Sequence, residues 1–235
     1  MSVSIKYKGS EIASMAATGT KTLLTSGKYC EADIVVENTE SGGGGGDHTA
    51  EDGIISGSIT EYTNDRITEI RAYAFFDCKL LRSFGAQYAN VIGNRALSGC
   101  SVLESVSLPR LSTIGTYAFA ECPALTEVTL PQVKQIPASA FRTCTALTRV
   151  DLPSIQSIAI QAFYGCSALD TLIMRDAYDV CGLNTTALNG TALKNGTGYI
   201  YVPRQLVSLY KADTAWSAFA NQIRAIEDYP AITGG

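Results

Sequence analysis

One spacing governs what this chain can fold into: between Ile70 and about Arg175 the same phrase of residues is written five times, 22 residues apart. It opens on Ile70, Ile92, Ile114, Ile136 and Ile158, and four residues later carries Ala74, Ala96, Ala118, Ala140 and Ala162. A large apolar side chain follows each alanine (Phe75, Leu97, Phe119, Phe141, Phe163), then a cysteine (Cys78, Cys100, Cys122, Cys144, Cys166) and a leucine (Leu81, Leu103, Leu125, Leu147, Leu169). Each unit closes on a short alternating segment such as Val128-Thr129-Leu130-Pro131, which has the period of a strand. The fifth copy reads Leu172-Ile173-Met174-Arg175, and the first, Phe84-Gly85-Ala86-Gln87, is worn. Such self-similarity describes a solenoid, in which a unit buries its apolar face only against its neighbours. The strands are expected to stack about 4.8 Å apart as a parallel sheet. The Ile-x-x-x-Ala-Phe-x-x-Cys arc returns along the other side, with alanine where the arc is tight and phenylalanine filling the core.

The wording Ile-Gly-x-x-Ala-Phe-x-x-Cys-x-x-Leu-x-x-Val-x-Leu-Pro, clearest at residues 114–131, resembles the BspA-like leucine-rich repeat. The resemblance covers about half of the chain. It implies an α/β repeat solenoid: a leucine-rich-repeat right-handed superhelix with a parallel strand sheet, preceded by a small β module and closed by C-terminal capping helices. It also implies a bacterial interaction or adhesion protein, often at the surface or secreted, and names no ligand. Pro109, Pro131 and Pro153 stand near where an asparagine ladder would begin, so no such ladder is expected.

Five regions follow from the composition. Residues 1–40 read as a small β module, with strands expected at 4–7, 22–25 and 33–37. The run from Thr22 to Val36 resembles a module at the start of prophage-encoded structural proteins, including tail-associated ones. That likeness implies a second function, a virion structural part, with homo-oligomer or virion assembly through residues 1–40. Residues 41–52 form a glycine-rich linker; Gly42 to Gly46 are followed by Asp47-His48-Thr49, not by the Lys-Ser or Lys-Thr of a phosphate loop. Residues 53–69 are expected to cap the array, and 70–203 to form the solenoid. A degenerate sixth repeat runs through Leu183, Ala187, Leu188, Thr191 and Ile200 to Pro203, with three residues inserted before its strand. Residues 204–235 become a helical cap and tail: Leu206, Val207 and Tyr210 on one helix, then Trp216, Phe219, Ala220 and Ile223 on a second that Asp213 or Thr214 caps.

Charge and residue type then narrow the function. A net charge of −4 and a pI near 5.1 do not suit a nucleic-acid partner. No stretch approaches 18 apolar residues, so membrane insertion is not expected. The first residues lack the basic start and apolar core of a secretory signal. This points to a protein that is cytoplasmic until lysis or virion-associated; a trimmed N-terminus would instead allow a cell-surface or secreted one. The cysteine column reads as packing, without the Cys-x-x-Cys pairs of a metal site, and Cys30 and Cys181 carry no assigned role. The lone His48 lies in the linker, which leaves no Ser-His or Cys-His pair for catalysis. We therefore expect no enzyme, cofactor or metal; a hydrolase built on Glu127 and Asp151 ranks last.

The expected ligand is a protein or glycan held by outward residues of the strand sheet: Ser105, Ser107, Glu127, Thr129, Arg149, Asp151, Thr171 and Ile173. An alternative aromatic patch comprises Tyr178, Tyr199 and Tyr201. Asn-x-Thr triplets at Asn184, Asn189 and Asn195 read as turn chemistry.

Overall fold

The computed structural model describes residues 60–64, 66–175 and 178–233, and the backbone of two strands, β1 (Val3–Tyr7) and β2 (Ser10–Met15). The glycine linker, His48, Cys30 and the strands expected at 22–25 and 33–37 lie outside the described residues.

Every repeat contributes a three-residue strand, a two-residue strand and an arc. The first three turns hold β3 (Glu61–Thr63), β4 (Glu69–Ile70), β5 (Ser83–Gly85), β6 (Val91–Ile92), β7 (Ser105–Ser107) and β8 (Thr113–Ile114). The next turns hold β9 (Glu127–Thr129), β10 (Gln135–Ile136), β11 (Arg149–Asp151), β12 (Ser157–Ile158), β13 (Thr171–Ile173) and β14 (Gly182–Leu183). β15 (Tyr199–Val202) and β16 (Ile223–Ala225) complete the array. Pairing is parallel and in register with the repeat, as in Ser83↔Ser105 and Glu127↔Arg149↔Thr171. At the first edge the direction reverses: β1 pairs antiparallel with β3, and β2 with β1.

The arcs are held by two kinds of hydrogen bond. Within a turn, i to i−3 bonds such as Ala120 N to Tyr117 O (3.1 Å) tighten the chain. Between turns, alternate N–H groups donate to the following arc: Phe75 to Ala96 O (2.7 Å), Leu97 to Ala118 O (2.8 Å), Phe119 to Ala140 O (2.8 Å) and Phe141 to Ala162 O (2.8 Å). This geometry needs two left-handed residues per arc, and non-glycine residues fill most of these places, among them Tyr117 (φ 58°), Glu121 (φ 60°) and Thr143 (φ 58°).

Repeat columns become core layers. The Ile, Ala, Phe, Cys and Leu columns are buried, and Phe141 lies stacked between Phe119 (5.0 Å between centroids) and Phe163 (5.3 Å). The cysteines do more than fill space: the Sγ of Cys100, Cys122, Cys144 and Cys166 donates to Phe75 O, Leu97 O, Phe119 O and Phe141 O at 2.9–3.2 Å. Burial raises the Cys122 and Cys144 thiols well above their usual range, which keeps the protons these bonds require.

Two expectations need correction. The strands do not form one sheet, because both rows part at the same level: β7 ends one ladder and β9 begins the next, and β8 and β10 are likewise separate. Pro137 gives the local reason. In the two preceding turns its column holds Gly93 and Gly115, whose N–H groups donate to Ile70 O and Ile92 O, each at 2.7 Å. A Cβ on either glycine would stand only 2.3–2.4 Å from backbone of the previous turn. Proline has no N–H to give Ile114 O, so this bond is missing at the seam, whereas Ala159 and Asn184 in the next turns of the column carry a Cβ and still donate to Ile136 O and Ile158 O at 2.9 Å each. The arc bonds and the phenylalanine stack cross the seam uninterrupted.

The second correction concerns the C-terminal cap, which has one short α-helix, α1 (Val207–Ala212), and no second one. Asp213 does act as a cap, its Oδ1 accepting from Ala215 N (2.8 Å) and Trp216 N (3.2 Å), but it starts only a 3-10 turn at Ser217–Phe219. The chain then re-enters the sheet, Ile223–Ala225 pairing with Ile200–Val202. The apolar spacing at Trp216, Phe219 and Ile223 thus serves a turn and a strand rather than one helical face. Trp216 is in the core, its Nε1 donating to Cys181 O at 2.6 Å. Cys181 is buried beside it, which pushes its thiol up to about 12.

Candidate functional site

The strand face divides into an open part and a covered part. Ser105, Ser107, Glu127 and Thr129 are all exposed, and they flank the seam between β7 and β9. Val106 in the middle of β7 is half-buried, whereas Phe84, Val128, Val150, Leu172 and Ile200 in the same column are buried. The difference marks where the neighbouring strand has withdrawn. Ladder N–H and C=O groups on the facing edges of β7 and β9 are consequently left to solvent or a ligand.

Beyond the seam the chain covers its own face. Residues 226–233 run across it in two 3-10 turns. Ile226 joins Ile173 and Tyr201 in a second apolar cluster, with Ile232 packed on it and the Tyr229 ring edge-on to Tyr201 at 5.2 Å. Two of the residues expected to face outward, Ile173 and Tyr201, are therefore buried. Asp151 is also withdrawn, at 2% exposure: it is ion-paired with Arg175 and lies 3.6 Å from Arg149. Arg149 Nη2 in turn donates to Ile232 O at 2.8 Å. Arg149 Nη1 and Asp151 Oδ1 are buried with no hydrogen-bond partner among the described residues, so this closure is imperfectly satisfied. Thr171 is half-buried, its hydroxyl donating to Asp170 Oδ1 at 2.8 Å.

The alternative aromatic patch is not one surface. Tyr178 is exposed and Tyr199 is exposed beneath the Arg224 guanidinium (4.7 Å), but Tyr201 lies under the tail. The Glu127 and Asp151 carboxylates are not brought opposite each other; Arg149 is the register partner of Glu127, and Thr129 that of Asp151. With Asp151 buried against two arginines, the pair lacks the arrangement that two-carboxylate hydrolysis uses. Among the described residues there is no group of His, Cys, Asp or Glu that could hold a metal ion, and no helix long and apolar enough to cross a membrane. Reading the repeat missed Arg175 and the tail residues Ile226 and Ile232. Arg175 carried a signal, as a cation two residues beyond a strand whose neighbour bears Asp151; the tail lies outside the repeat register and carried none.

The comparisons agree with this architecture. The model of the BspA type leucine rich repeat region (6 copies) matches residues 68–193. Among curated proteins none matches the chain. Among solved structures, a leucine-rich repeat protein of Bacteroides ovatus is similar at 24% identity and a TM-score of 0.51, over 81% of this chain and 59% of that one. A T. pallidum leucine rich repeat protein aligns at 21% identity and a TM-score of 0.45, over 65% of this chain and 82% of its own. A leucine rich cell surface protein of Faecalibacterium prausnitzii aligns at 19% identity and a TM-score of 0.49, over 71% and 55%. This chain thus spans little more than half of the Bacteroides and Faecalibacterium proteins. The Bacteroides likeness carries the fold, and the six-copy match over more than half of the sequence carries the family: the chain belongs to the BspA-type leucine-rich repeat family.

Proposed function

We propose that the protein is a non-enzymatic interaction module that binds a protein or glycan on its strand face, at the seam between β7 and β9. The observation that carries this reading is the coincidence of two features. The open part of the face bears the exposed hydroxyls of Ser105, Ser107 and Thr129 and the Glu127 carboxylate, and it is also where the strand ladder is interrupted. Hydroxyls, one carboxylate and unladdered backbone groups together supply donors and acceptors at strand spacing. A hydroxyl-rich or extended ligand can pair with them, while the continuous core behind keeps the geometry fixed. Arg149 and Ile173 are engaged by the tail and Asp151 is buried against Arg175 and Arg149, so none of the three is part of this site.

The test is a glycan and peptide array probed with the full chain and with a Ser105→Arg/Thr129→Arg variant. Exposed positions tolerate arginine, so the melting temperature should stay within about 1 °C, while array signal falls at least about tenfold (about 1.4 kcal/mol). Equal signal from both proteins would remove the seam as the site.

A further inference from the structure

A second surface lies on the arc face, away from the strands. Four residues from successive turns interlock there. The Arg95 guanidinium lies over the Tyr117 ring at 4.3 Å from the centroid, and the Arg142 guanidinium lies over the Tyr164 ring at 5.4 Å. Tyr117 lies between the two pairs, one turn after Arg95 and one turn before Arg142, and Ser139 together with both arginines lowers its hydroxyl pKa from the usual value. The result is a stripe, Arg95–Tyr117–Arg142–Tyr164, that crosses three inter-turn steps, about 14 Å at strand spacing. Left-handed backbone at Arg95 and Tyr117 helps to aim these side chains, with φ of 56° and 58°.

Two features give the stripe a binding chemistry. Arg82, Arg149, Arg175 and Arg204 each have a carboxylate partner, but among the described residues neither Arg95 nor Arg142 is in an ion pair. Each lies over a ring, which leaves its outer N–H edge to take a carboxylate with two bonds. Tyrosine and arginine are also the residues that dominate protein-binding hot spots, and here their order is already fixed before binding. A sugar would need an open ring face on which to stack, and guanidinium groups already occupy one face of Tyr117 and of Tyr164.

We propose that the Arg95–Tyr117–Arg142–Tyr164 stripe is a docking surface for a protein segment rich in aspartate or glutamate. It is separate from the seam, so its success or failure is independent of that reading. The chain has a net charge of −4, and the stripe brings two such arginines together within three turns, whereas Arg110 over Tyr88 (4.5 Å) and Arg224 over Tyr199 (4.7 Å) are single pairs.

The experiment is calorimetric titration of the full chain, at about 50 mM salt where charge pairing is weakly screened, with poly-L-glutamate and with polygalacturonate as a matched polyanionic sugar. Poly-L-glutamate should bind saturably and more tightly than polygalacturonate. Arg95→Gln/Arg142→Gln should weaken it at least about tenfold, whereas Arg82→Gln/Arg204→Gln, an equal change of charge at ion-paired arginines, should weaken it less than about twofold. Arg95→Lys/Arg142→Lys keeps the charge and loses the planar fork, and should fall between the two. Circular dichroism confirms that each variant is folded. No saturable binding, equal losses in the two glutamine variants, or tighter binding of polygalacturonate would each overturn the proposal.

Discussion

Thr143 shows how much of this array is decided one residue at a time. It occupies a left-handed arc position at φ 58°, a conformation that a β-branched side chain resists, and its hydroxyl is turned back to Arg142 O at 2.8 Å. The same column holds Gly99, Gly165 and Gly190 in other turns, where no such strain arises. Thr143→Gly removes a cost of about 1–2 kcal/mol for a left-handed L residue and adds back some of it as unfolded-chain entropy. A net stabilisation of about 1 kcal/mol is expected, read from the urea midpoint at unchanged m-value. The cysteine column illustrates the limit of reading composition alone. Its place in the core was legible from Cys78 to Cys166, because a column at fixed spacing is a packing position. The S–H bonds to carbonyls of the preceding arcs were not, since they depend on where the arc carbonyls point.

At the scale of the element, strands and arcs respond differently to one substitution. Both strand rows part at the level of Pro137, whose missing N–H falls in the β8–β10 row, while the arc ladder is intact, so the seam is an opening on one side of the stack only. Pro137→Gly restores a donor for Ile114 O. The Glu127 and Gln135 amides should then gain at least about tenfold protection from hydrogen exchange, about 1.4 kcal/mol, while the Phe119 and Glu121 amides, already bonded across the seam, stay as they are. The strands themselves were legible in the alternation of each repeat, and the seam had a visible cause in the proline that enters the column of Gly93 and Gly115 at Pro137. The expected second C-terminal helix failed for a different reason. Trp216, Phe219 and Ile223 have helical spacing, but β15 offers an open edge, and pairing Ile223–Ala225 with it satisfies backbone that a short isolated helix would leave exposed.

For the whole molecule, the tail decides how much of the strand face is available. Its anchors, Ile226 and Ile232, lie beyond the repeats and meet Tyr201 and Ile173, which belong to different turns. No periodicity could have revealed that Ile173 and Asp151 are covered, although the same periodicity placed Ser105, Ser107, Glu127 and Thr129 correctly at the surface. Ile226→Asp should release this cover at a cost of about 2–3 kcal/mol, by losing a buried apolar side chain. Trypsin should then cut after Arg224 at least about tenfold faster, while the remainder of the solenoid keeps its resistance. Unchanged cleavage would mean that the ion pairs at Arg204 and the β16 ladder hold the tail without its apolar anchors.

The inter-turn bonds of the arcs also give that side of the molecule an electrical direction. In each of these peptide units the carbonyl points toward the preceding turn and the N–H toward the following one: Ala96 O accepts from Phe75 as Leu97 N donates to Ala118, and Ala118 O accepts from Leu97 as Phe119 N donates to Ala140. Stacked head to tail, such units add as they do along an α-helix, with partial positive charge gathering toward the last arc and partial negative charge toward the first. The arc row therefore has two unlike ends, led by carbonyls at the first turn and by N–H groups at the last, while on the strand side Gly93, Ser112 and Gln156 donate to the preceding turn and oppose it, so a neighbour docking end-on meets this polarity on the arc side only.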